Sequence, residues 1–227
     1  TYLVFLAVLP SMPTGHVVRH VTAHPPTGFR DVLGDRFFVW LCVTDVSVAL
    51  GFGFLFSFMP AYASAIGIDK TTVGVLFMVG AVSVVVTQIA TLRWARGRPR
   101  MHLLAGMNLW FAAAFALMAI TPHIAIAFAI VLIAVGQVLG GFGEAVLGAV
   151  RQPLTSDLAP DSLVGRYYGL STMVFQGCMG AANAVGGVVM ARSLTTLWFI
   201  PRAASLAGVA GSLALRQRIP AHAAMNV

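Results

Sequence analysis

Six apolar runs, each about as long as a lipid bilayer is thick, occupy most of this chain: residues 37–60, 73–92, 103–121, 124–147, 167–191 and 194–215. The hydrocarbon core of a membrane is about 30 Å thick, and a helix rises about 1.5 Å per residue, so roughly 20 apolar residues cross it. The apolar character runs around each helix instead of along one stripe. Backbone groups in lipid must be satisfied within the spanning structure, which leaves helices or a closed barrel. Alternating segments of the barrel kind are missing, and scattered glycines suit close helix packing. The expected fold is an all-α membrane protein with six transmembrane helices.

Composition closes the alternatives. Only 9% of residues are charged and 59% are hydrophobic, against about 25% charged in soluble domains. The net charge of +7 does not imply nucleic acid, because the basic residues lie in short clusters between apolar runs instead of sharing one polar face. The densest cluster is Arg93-Trp94-Ala95-Arg96-Gly97-Arg98-Pro99-Arg100. It fills a link too short to be a binding module. Cys42 and Cys178 fall inside apolar runs, where small inert hydrophobes are the expected role.

The first ten residues, TYLVFLAVLP, are too few to span a bilayer and lack the basic flank of a signal peptide. Residues 1–12 are expected to end a preceding transmembrane helix, making the chain a C-terminal piece. Residues 13–36 then form a linker, 37–215 a six-helix bundle and 216–227 a tail.

Orientation follows from the cations. If the spans alternate, Arg19, Arg30, Arg36, Arg93, Arg96, Arg98, Arg100, Arg151, Arg166, Arg216 and Arg218 share one side, with only Lys70 and Arg192 opposite. Lys and Arg accumulate on the cytoplasmic side of membrane proteins, so that side and the C-terminus are expected to be cytoplasmic. Arg202 remains, about 12 Å into the last span. It either snorkels outward or makes a buried contact.

The order of these features resembles the C-terminal six-helix half of a major facilitator superfamily transporter. In that family a loop after the second helix of each half reads Gly-x-x-x-Asp-Arg-x-Gly-Arg-Arg. Here Arg96-Gly97-Arg98-Pro99-Arg100 matches its basic part, with Trp94 where the Asp stands and Ala95 where the first Arg stands. Glu144 and Arg151 match a Glu and an Arg seven residues apart at the end of the fourth helix. Val164-Gly165-Arg166-Tyr167-Tyr168-Gly169 is similar to the Arg-Gly-Arg-x-x-Gly entry to the fifth helix, which here carries Gly177, Gly180, Gly186 and Gly187. The resemblance implies a secondary transporter working by alternating access, with no cofactor and with an N-terminal six-helix half as partner. Its surroundings would be a lipid bilayer, its ligand a small-molecule substrate, and its location a bacterial cytoplasmic membrane. It further implies a cytoplasmic gate formed by Arg96, Arg98, Arg100, Glu144, Arg151 and Arg166. A Glu so near the hydrocarbon needs a partner, and the loop arginines are the expected one. The other reading is that these charges only pin topology.

Asp45 is the one acid deep within an apolar run, nine residues into the first span. An intramembrane carboxylate is a functional candidate, here for proton coupling. The alternative is a protonated acid hydrogen-bonded to a neighbouring helix, or one close enough to the headgroups to stay wet. Helical spacing sets Asp45, Ala49, Phe52 and Phe56 on one stripe, which lines a cavity if Asp45 faces inward. Among polar residues in spans, family architecture favours Gln137, Gln176 and Asn183 as facing substrate and leaves Asn108 to packing. A helix–helix hydrogen bond is the competing role for each.

His16, His20 and His24 recur every four residues, but Pro25-Pro26 follows and no acid or Cys joins them, so a solvated loop is expected instead of a metal site. Metalloprotease, serine-hydrolase and Walker motifs are absent, so the chain is not expected to be an enzyme and ATP bound to it cannot drive transport. Proton-coupled movement or efflux of a small solute is the leading expectation. A homodimeric half-transporter is the second, and a membrane-embedded enzyme or scaffold the third.

Overall fold

The computed structural model describes residues 29–226. The expected helix end at 1–12 and the histidines at 16, 20 and 24 lie outside the described residues. A short helix α1 (Phe29–Gly34) precedes six long ones: α2 (Arg36–Ala65), α3 (Lys70–Ala95), α4 (Arg100–Ile120), α5 (Ile126–Leu158), α6 (Val164–Arg192) and α7 (Leu194–Leu215). Each of the six is long and apolar enough to cross a membrane.

Side-chain caps set several starts. Asp35 accepts from the Phe38 amide (3.0 Å), and Asp69 accepts from the Thr71 and Thr72 amides (2.9 and 3.0 Å). Ser193, the single residue between α6 and α7, accepts from the Thr196 amide (3.2 Å). Such caps satisfy the donors a helix start leaves open. Gly67 and Gly97 take positive φ (91° and 66°) in the turns that end α2 and α3, a conformation a Cβ would strain.

The helices pack in an open order, not the order of the chain: α3 on α5, α5 on α4, α4 on α7, α7 on α2 and α2 on α6. The back of this arc is the densest part. Trp198 of α7 meets Tyr62 of α2 edge-on (5.1 Å) and stacks on Phe115 of α4 (6.0 Å). Ser47 of α2 donates to Asn108 of α4 (2.8 Å), while Asn108 also donates to the Leu104 carbonyl (3.0 Å). The terminal helices α3 and α6 are mostly exposed, and along α3 the outward row includes Val82, Val85, Val86 and Ile89. An exposed apolar row on a membrane helix faces lipid or another bundle.

Partner contacts mark the two ends. At the arginine-rich end, Tyr167 at the start of α6 donates to Asp35 at the start of α2 (2.9 Å), and α4, α5 and the tail converge. At the other end the Tyr62 hydroxyl donates to the Met118 carbonyl (2.8 Å) and also pairs with the Thr121 hydroxyl. There, too, His123 meets Thr195 (3.1 Å).

One helix end and the course of the tail differ from expectation. The fourth long helix runs to Leu158 instead of ending near 147, because polarity ends an apolar run without ending a helix; the chain bends away only around Pro160. The tail folds back, with a 3-10 turn at Ala221–Ala223 and a backbone bridge from Pro99 to Met225.

Candidate functional site

Asp45, nine residues from the start of α2, is about 14 Å along that helix and buried. Arg151 of α5 reaches it with two nitrogens: Nε donates to Oδ2 at 2.7 Å, and Nη2 stands 2.6 Å from the same oxygen. Nη2 also donates to Ser171 of α6 at 2.6 Å. One guanidinium thus ties α2, α5 and α6 together. Arg151 belongs to this buried pair and makes no ion pair with Glu144.

The concave side of the arc holds two adjoining cavities, of about 470 and 430 Å³, which share Phe52, Phe56, Val84 and Glu144 in their walls. Arg151, Ser171 and Gln176 line the first, and Gln137, Phe77 and Phe111 the second. The rings form a connected set. Phe52 stacks with Phe56 (5.6 Å) and Phe56 with Phe77 (6.2 Å), while Phe111 and Phe175 lie 5.6 and 6.0 Å from Phe52.

The arginine loop does not meet Glu144. Leu158 ends α5 fourteen residues beyond Glu144, about 21 Å along the helix. Arg100 meets Asp157 near that end, and it is Trp94, whose ring lies 6.3 Å from Phe142, that reaches toward the middle of α5. Glu144 is half-buried, facing the cavities with no ion-pair or hydrogen-bond partner among the described residues. Arg100 is instead buried against Asp157, Nη1 to Oδ2 at 2.7 Å, and its Nη1 also donates to the Ala223 carbonyl (3.3 Å). The backbone completes that clasp. The Gly97 amide donates to the Asn226 carbonyl (2.6 Å), the Arg100 amide to Ala224 (3.0 Å) and the Asn226 amide to Arg98 (3.0 Å). Arg98 lies over the Trp94 ring at 4.5 Å, a cation–π contact made by the residue that stands where the family loop has its Asp. Arg96 caps the end of α3 in solvent, and Arg166 is half-buried in the first turn of α6.

The other candidates divide. Phe52 and Gln176 line a cavity. Gln137 is buried and donates to the Leu76 carbonyl of α3 (3.3 Å), joining two helices while it lines the second cavity. Asn183 accepts from Ser57 across α2 and α6 (2.6 Å). Arg202 lies beside the Phe199 ring at 5.9 Å. Both cysteines are free, and no metal-binding cluster occurs among the described residues. Sequence reasoning missed Asp157 and Ser171 as arginine partners, since neither stands out in a polar helix end or a glycine-rich span.

Five of the six membrane-length helices, α2 to α6, line these two adjoining cavities. A family model described as Major Facilitator Superfamily matches residues 2–182 and 41–224. Neither a curated protein nor a solved structure matches the chain. On the family match, this integral membrane protein belongs to the major facilitator superfamily of transporters.

Proposed function

We propose that the chain forms the C-terminal half of a proton-coupled secondary transporter that exports a small solute by alternating access. The arginine-rich end faces the cytoplasm, and the concave side is closed by a second six-helix bundle, the N-terminal half. The exposed apolar faces of α3 and α6 support that closure. The buried Asp45–Arg151 pair carries the coupling reading.

An ion pair removed from water holds together only while both members are charged. A proton arriving at Asp45 neutralises the carboxylate and frees Arg151 from it, loosening the three-helix tie to α2 while Ser171 remains within reach. Loss of that proton restores the pair. Each proton cycle therefore switches a contact between α2, α5 and α6 in the cavity wall. At the cytoplasmic end the Arg96–Arg100 loop, Asp157 and the folded tail form the latch that opens and closes around this switch.

The test needs no known substrate. In a background with Cys42 and Cys178 replaced by Ser, Gln176→Cys puts one thiol in the cavity. In proteoliposomes a membrane-impermeant maleimide applied from either face should label it, and an imposed pH gradient should shift the ratio of the two labelling rates. Asp45→Asn should remove that pH response. A ratio indifferent to pH in the unsubstituted pair, or an unchanged response in Asp45→Asn, would discard the coupling role. Disulfide crosslinking between two copies through Val85→Cys on α3 would replace the N-terminal half with a second copy.

A further inference from the structure

The cavity wall carries one charge that the described residues leave uncompensated. The described ionisable side chains lining the two cavities are Glu144 and Arg151. Arg151 is already committed to Asp45 and Ser171. Glu144 stands where the cavities join, with no described partner, and a carboxylate at membrane depth without a counter-charge is costly. A ligand that brings a positive charge relieves that cost.

The rings around Glu144 favour the same charge. Phe52 is shared by both cavities, stacks with Phe56 and stands 6.0 Å or less from Phe111 and Phe175. Phe56 is half exposed into the same space. Faces of aromatic rings attract cations, most strongly where water is excluded, and their apolar area holds a hydrophobic body. The amides there, Gln88, Gln137, Gln152 and Gln176, and the hydroxyls of Ser171 and Thr172 are neutral. A small anion gains nothing from a wall whose one uncommitted charge is negative.

We infer that Glu144 and the phenylalanines around it form a binding site for an amphipathic organic monocation, with the cationic centre against Glu144 and the apolar body against Phe52 and Phe56. The inference rests on the transporter reading, whose solute it specifies. The arrangement selects by charge and ring contact, so substrates of varied shape are accepted if they carry one positive charge and apolar bulk.

The probe is tetraphenylphosphonium, with tetraphenylborate as the anion of similar shape, each titrated by calorimetry into the full chain in nanodiscs. The phosphonium should bind at least tenfold more tightly than the borate, after subtraction of empty-nanodisc signal. Glu144→Gln should weaken phosphonium binding at least tenfold and remove the preference over the borate. Phe56→Leu, which keeps apolar bulk without a ring, should weaken it severalfold. Equal affinity for the two probes, or affinity within twofold in both variants, overturns the site. Binding is read without transport, so a negative result here alongside pH-linked labelling of Gln176→Cys discards only the cation. The reverse outcome discards the coupling and keeps the site.

Discussion

Arg151 and Arg100 each hold an aspartate from another part of the chain, with nitrogen–oxygen distances of 2.6 and 2.7 Å. Their surroundings differ. Around Arg151 both partners are buried (11% and 6% exposed), and the remaining contact is another helix's hydroxyl. Arg100 is buried to 2%, but Asp157 is 41% exposed and the backbone of the tail supplies the other acceptor. The first pair is held by side chains alone. The second is backed by three backbone hydrogen bonds between the loop and the tail, which are indifferent to protonation. The same two residue types thus make an enclosed side-chain pair inside the bundle and a backbone-supported clasp at its end.

Breaking one partner of the enclosed pair should have the largest effect. Asp45→Ala leaves Arg151 as a buried cation beside Ser171, at a cost of about 3–5 kcal/mol, whereas replacing both members by apolar residues often costs little. Thermal unfolding in detergent should show Asp45→Leu with Arg151→Met recovering most of the stability lost in Asp45→Ala. If the double variant is as unstable as the single one, the pair is a structural staple and the contrast with Arg100 collapses.

Arg100→Ala should cost less, about 1.5–3 kcal/mol for hydrogen bonds to a charged group, because the exposed Asp157 regains water. Its signature is local. The tail loses a side-chain anchor, so trypsin should cut at Arg218 faster in Arg100→Ala than in the parent, while Asp45→Ala leaves that rate alone. Equal cleavage rates would mean that the backbone bridge alone holds the tail.

A purely steric change separates packing from charge. A Cβ on Gly53 of α2 meets the Ala182 Cβ at 2.6 Å and the Met179 carbonyl oxygen at 3.0 Å, both on α6, so neither neighbour is a flexible side-chain end. Gly53→Val should destabilise by about 1–3 kcal/mol, as overpacking does, by forcing α6 and its Ser171 away from α2. Protection of α6 amides from hydrogen exchange should fall while tail cleavage is unchanged. Loss of protection spread evenly over α4 and α7 would show that the helices are not independently seated.

How much of this was legible follows from how local each signal is. The number and place of the long helices were readable because hydropathy accumulates over some 20 residues and tolerates noise. Asp45 was readable as a lone acid among apolar residues. Its partner was not, because Arg151 fitted equally well into a run of cations, and which helix faces which is decided by packing that no linear spacing encodes. Hydropathy sets Glu144 near the end of its span because it stops that span near Leu147, eleven residues before the helix ends at Leu158. The tail's bridge was invisible for another reason: backbone hydrogen bonds leave no mark on side-chain chemistry, and Ala-Ala-Met-Asn has no pattern.

Asp69 supplies the reference point for both pairs, an exposed acid held by no arginine. It caps α3 by accepting from two amides and from the Thr72 hydroxyl (2.6 Å). The Thr72 side-chain bond, then the backbone amides, hold its carboxyl below the ordinary carboxylate range. A carboxyl whose folded value is depressed adds stability that is fully present above its unfolded value, about 3.9, and that is lost as pH falls through the folded one. The difference in melting temperature between the parent and Asp69→Ala should therefore be constant from neutral pH down to about 5 and shrink below about 4. It should also be the smallest of the effects considered, since a solvated cap competes with water for every bond it makes. A difference that keeps its full size at low pH would show the cap working through the neutral acid, and would remove the charge from its account.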